Sequence, residues 1–170
     1  MMLGMSLETY TLVHVIISLI GIGSGLVVLF GLLSGKKLGG WTGLFLATTV
    51  LTSVTGFGFP FEHFLPSHAV GIISLVVLTV AILALYSFHL AGAWRRIYVI
   101  AGVTALYLNC FVAVVQSFQK VPALHELAPN GSEPPFAIAQ LAVLAVFIGL
   151  GVAAVRKFRP TAERAFRASA

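Results

Sequence analysis

Long apolar runs, broken by short stretches of glycine, proline and charge, set the pattern of this chain. A helix that crosses a hydrocarbon layer takes about 20 mostly apolar residues. Five stretches meet that length: residues 7–33, 41–61, 68–93, 97–118 and 136–155. Gly35-Lys36-Lys37-Leu38-Gly39-Gly40 closes the first run with glycine and charge. Pro60 and Pro66 bracket a turn that holds Glu62 and His63. Trp94-Arg95-Arg96 separates the third and fourth runs so tightly that they must form an antiparallel hairpin. Lys120 to Pro135 is the one substantial loop, proline-rich and with Asn130-Gly131 as a turn signal.

The pattern predicts an all-α polytopic bundle of five transmembrane helices: one membrane domain over 1–155 and a basic tail over 156–170. Nine of the ten Lys and Arg residues fall on one side of this topology, and Lys120 alone on the other. Basic loops stay cytoplasmic, so the expected orientation has the N-terminus outside and the C-terminus inside. The first run has no basic residue before it and is too long for a cleaved signal peptide, so it reads as a retained helix.

Composition agrees. The chain is 59% hydrophobic and 9% charged, with a mean hydropathy of +1.04, against about 25% charged residues in soluble domains. Its net charge of +5 does not point to nucleic acid, because the cations sit at helix ends and in the tail, where they orient a membrane protein and meet anionic lipid. The single Cys110 excludes an internal disulfide or a multi-cysteine metal site.

Helices in lipid associate through small residues that let backbones approach. Spacing puts His14, Ser18, Gly21 and Gly25 on one face of the first helix. The second carries a Thr48, Thr52, Thr55 stripe, and the fourth a stripe of Gly102, Ala105, Asn109, Val112 and Gln116. The fifth carries Ala142, Ala145, Gly149 and Ala153. Each is expected to face the interior.

Polar residues inside a membrane are costly and mark candidate sites. His14, Thr52, Thr55, Gln116 and Gln140 fall in the outer third of their helices, with Asn109 two turns deeper. Together they predict a pocket open to the outer face, with Glu62, His63 and His68 at its rim. Such a pocket suits b-type haem, whose iron takes inward imidazoles at a common depth; His14 and His68 would supply them, with Gln116 alongside. It also suits a quinone. Glu62, His63 and His68 form a weaker candidate for a divalent metal, since imidazole and carboxylate are ordinary ligands. His68 and His89 stand roughly 31 Å apart along a helix and cannot share one ligand. No Asp, no charge within a span and no HExxH or GxSxG motif argue against an ion-coupled pump or a membrane hydrolase, and no catalytic residue is assigned.

His14, Gly21, Gly25 and Gly31, followed by Lys36-Lys37-Leu38-Gly39-Gly40, resemble a pattern in small bacterial multi-pass inner-membrane proteins of unknown function. In that pattern a second His often follows the basic turn; here Gly39-Gly40-Trp41 stands instead. The resemblance implies a location in the inner membrane and no particular activity. Two function classes follow from the residues: a binding or redox module around His14, His68 and Gln116, or a non-catalytic partner subunit or assembly factor whose Gly/Ala-rich faces dock other membrane helices. A carrier for a neutral solute or lipid is a further alternative.

Overall fold

A computed structural model describes residues 6–60 and 66–159, and among these the chain is all-helical. The elements are α1 (Leu7–Leu33), α2 (Gly39–Gly56), α3 (Pro66–Ile82, continued by a π-helical turn Leu83–Ser87), α4 (Trp94–Lys120), the single turn α5 (Pro122–His125) and α6 (Pro134–Lys157). Among the described residues, four helices are long and apolar enough to cross a membrane: α1, α3 with its π turn, α4 and α6. α2 is 18 residues long, but its threonines and glycines dilute its leucines and valines and keep it out of that group.

Local chemistry sets the ends. Ser6 caps α1 by accepting the Thr9 N–H at 3.2 Å. Gly35, at φ 69°, turns the chain back so that the Lys36 N–H reaches the Gly31 carbonyl at 2.8 Å. Pro134 opens α6, where its missing N–H costs nothing. Three boundaries differ most from the sequence pattern. The fourth helix already begins at Trp94, so Trp94-Arg95-Arg96 is its first turn and not the separator, and the chain reverses before it. The second helix stops at Gly56 rather than Phe61, with the N–H groups of Phe57 and Gly58 closing a turn onto the Val54 and Thr55 carbonyls. The third stops well short of Ala93. The Phe88 N–H bonds to the Leu83 carbonyl at 2.9 Å, widening the last turn. His89 (φ 50°), Leu90 (φ 60°) and Gly92 (φ 53°) then take left-handed backbone that no α-helix can include. Leu90 is nevertheless buried, and Phe88 stacks on Trp94 at 3.8 Å, so the reversal is held from both sides.

Contacts between helices run in antiparallel register. Thr55 meets His14, while Thr48 and Phe45 lie against Gly21 and Gly25. From α3, Ser74 bonds Ser53 at 3.0 Å and His68 stacks on Phe57. Along α6, Phe136, Phe147 and Val155 meet Phe118, Tyr107 and Arg95 of α4. α1, α3 and α6 therefore start at one end of the bundle, here the N-terminal end. α2 and α4 start at the other, which carries Lys36, Lys37, Arg95, Arg96, Arg156 and Lys157 and is here the basic end. α4 is central: α3, α2, α1 and α6 form an arc around it, and among the described residues α3 and α6 do not meet.

Glycine makes this closeness feasible. A Cβ on Gly25 would stand 2.6 Å from Leu106 Cδ1 and 2.9 Å from the Phe45 ring. The interior holds Leu29, Leu78, Val99 and Leu106, while Leu19, Phe30, Val76 and Leu141 stand exposed. An exterior this apolar suits hydrocarbon rather than water.

α6 corrects one expectation. Ala142, Ala145 and Gly149 do not face the interior; they are exposed, pointing away from α4. A different face makes the contact: Phe147 and Ala154 are buried, with Val143 and Leu150 packed beside them. The α4–α6 contact combines aromatic pairs, Tyr107–Phe147 and Phe118–Phe136, with the small Gly151, whose Cβ position lies 3.4 Å from Val103. Among the described helices α6 touches only α4 and α1, and 11% of its apolar window is covered, against 39% for α1 and for α4.

Candidate functional site at the N-terminal end of the bundle

His14 lies one turn below Tyr10 on α1, and both reach the last turn of α2. The Tyr10 hydroxyl donates to the Thr55 carbonyl at 2.8 Å. His14 Nδ1 lies 2.8 Å from Thr55 Oγ1. That hydroxyl has one proton and donates it to the Leu51 carbonyl at 2.7 Å, so it accepts from His14. The arrangement fits a neutral ring that donates from Nδ1 and keeps its lone pair on Nε2. Phe59 sets its ring edge-on to both Tyr10 and His14, each at 5.1 Å. Gly58 admits the tyrosine: a Cβ there would stand 2.1 Å from the Tyr10 hydroxyl oxygen.

The other predicted residues do not join this cluster into one pocket. His68 is buried at 5% exposure and stacks on Phe57 at 5.7 Å. Thr55 and Phe57 project from opposite sides of α2, so α2 stands between His14 and His68. Gln116 is exposed and does not face the interior. Asn109 is buried deeper and donates from Nδ2 to Thr49 Oγ1 at 3.3 Å, beside Gly21, whose lack of a side chain admits Thr48, Thr49 and Asn109 together. Gln140 donates to the Phe111 carbonyl at 3.2 Å. Its Oε1, like Thr52 Oγ1, is buried without a hydrogen-bond partner. Glu62 and His63 lie outside the described residues. Among the described residues, no three His, Cys, Asp or Glu side chains gather as a metal site would require.

At the basic end the structure adds a residue the pattern gave no reason to single out. Arg95 is buried, and its guanidinium donates to the Phe158 carbonyl and, at 3.3 Å, to the Val155 carbonyl. It thus caps the C-terminus of α6, where orphan carbonyls and the negative end of the helix dipole favour a cation. Arg96, its neighbour, is exposed. Nothing in Trp94-Arg95-Arg96 tells the two apart; only the arrival of α6 does. His89 is exposed and bonds through Nδ1 to the Ser87 carbonyl at 3.1 Å.

These observations define an all-α bundle whose interior polar groups bond mainly to its own helices. Compared with protein-family models, curated proteins and solved structures, the chain matches none.

Proposed function

We propose that this is a five-span protein of a bacterial-type inner membrane, N-terminus outside and C-terminus inside, that serves as a non-catalytic subunit packed against a transmembrane helix of another polypeptide. The antiparallel registers support α2 as the fifth span. Its 18 residues rise about 27 Å, close to a hydrocarbon core of about 30 Å. Thr48, Ser53 and Thr55 donate to their own helix backbone, which lowers the cost of their hydroxyls in lipid. The charge bias of the basic end supports the orientation.

The observation that carries the subunit role is the outward Ala142, Ala145, Gly149 face on the least covered helix. Lipid tails gain nothing from small residues, whereas a partner helix does. The test is a Gly149→Cys protein in a Cys110→Ser background, oxidised in native membranes, beside Gly149→Leu for co-purification. A cross-link to another polypeptide, together with loss of that polypeptide from Gly149→Leu, is expected. A monomer with no cross-linked product would remove the reading.

His14 favours a second reading. Ligating histidines hold their tautomer by donating the other ring N–H, as His14 does to Thr55. A haem or metal on Nε2 would give an absorption band that changes on reduction and vanishes in His14→Ala. A colourless, metal-free protein, purified after expression with ample haem and iron, would reject it.

A further inference from the structure

We propose that the groove between α4 and α6 holds one anionic phospholipid, its acyl chain along the helices and its phosphate on Arg96 and Arg156. This rests on the reading that the basic end meets a bilayer surface.

The groove has a volume of about 230 Å³. Val103 and Phe147 form its buried floor, and Ile100, Ile148 and Val152 its exposed walls. It opens sideways, toward lipid. From Ile100 to Tyr107 it runs about 10 Å along α4, within the half of the bundle that ends in the basic residues. Helix periodicity then supplies its mouth. Arg96 is four residues before Ile100, and Arg156 four residues after Val152, so each continues its groove wall by one turn. Both are exposed. Arg95 keeps the two walls together there by bonding the α6 terminus. The described carboxylates, Glu8, Glu126 and Glu133, all belong to the N-terminal end, so no acidic side chain among the described residues competes for this mouth. An apolar slot ending in two guanidiniums is complementary to a chain that ends in a phosphate, and basic pockets between membrane helices are known to take anionic headgroups. A zwitterionic lipid fills the slot equally well but gains less at the mouth.

The full chain is reconstituted in vesicles of equal phosphatidylcholine and phosphatidylglycerol, extracted in mild detergent, and its retained lipid counted by native mass spectrometry. About one phosphatidylglycerol per chain is expected. R96Q/R156Q should lower the preference for phosphatidylglycerol on the order of 10- to 30-fold, given about 1 kcal/mol per cation near the surface. K36Q/K37Q removes the same charge from the same end but off the groove, and should keep the lipid. Thr104→Phe, which fills the slot and spares the charges, should lose it. A melting curve for each variant separates lipid loss from unfolding. Equal retention of both lipids by the native chain, or equal losses from the two double variants, would overturn the site. Carbonate extraction distinguishes the underlying reading: a chain that stays in the membrane pellet without lipid preference refutes this site alone, and a chain released to the supernatant refutes the membrane assignment.

Discussion

Replacing Gly25 by alanine sets two opposed effects against each other. A glycine-to-alanine change inside a helix gains about 1 kcal/mol from backbone propensity. At Gly25 the new Cβ would stand 2.6 Å from Leu106 and 2.9 Å from Phe45, and overpacking of that kind costs about 1–3 kcal/mol. Gly23, two residues away on the same helix, has nothing within 4 Å of its Cβ position, so Gly23→Ala carries the gain without the clash. The gap between the two variants isolates packing at about 1–3 kcal/mol, or roughly 2–12 °C at about 2–4 °C per kcal/mol. Cys110 is the only thiol and is partly buried, so a thiol-reactive fluorophore reports unfolding in detergent without an added label. Gly25→Ala should melt below Gly23→Ala, and Gly25→Val lower still. If Gly25→Ala melts at or above Gly23→Ala, the α1–α2–α4 contact is not as close as described.

Arg95→Met strips the cap from α6 and leaves the Val155 and Phe158 carbonyls without its charged donor, at about 1.5–3 kcal/mol for a charged hydrogen bond; amide exchange over residues 154–158 should speed up, and unchanged exchange would contradict the cap. Gly58→Ala should cost less in a Tyr10→Phe background, with a coupling of at least about 0.5 kcal/mol, and strictly additive effects would rule out the contact. At the start of α6, partial desolvation opposes ionisation of Glu133, but the N–H groups of Asn130 and Ser132 and the Asn130 amide outweigh it and hold the carboxyl at about 2, below its ordinary 4.5. Its contribution to the turn is therefore full above about pH 4.5 and lost as the pH falls through about 2; amide protection at Asn130 and Ser132 should follow that course in the native chain and be weaker and independent of pH in Glu133→Gln, which keeps one acceptor oxygen, whereas protection already gone at pH 4 would refute the assignment.

How much of this was legible depended on whether a residue's partner was near in sequence or distant. The ends of α1 coincide with the apolar run because Ser6 and Gly35 are local signals. Gly21 and Gly25 mark a real seam, since α1 has neighbours on that side. The same logic misplaced Ala142, Ala145 and Gly149, because small residues look alike whether they face the chain's own core or the outside. Gln116 shares a stripe with the buried Asn109 yet stands exposed, and spacing along one helix does not show which part of a stripe its neighbours cover. Depth along the helices puts His14 and Thr55 at one level, where they bond, yet depth alone cannot say that α2 stands between His14 and His68. Arg95 could not be distinguished from Arg96 without α6, whose end lies 60 residues further along.

The central place of α4 also constrains how the chain comes together during synthesis. α1, α2 and α3 emerge first and can pair only with their sequence neighbours, as an arc whose concave side presents Gly25 and the α2 threonines to whatever is available. Leu106 and Asn109, which close that side, arrive on the fourth helix. The reversal at Phe88–Trp94 is what brings that fourth helix back against the third, and so supplies the cover from within the chain.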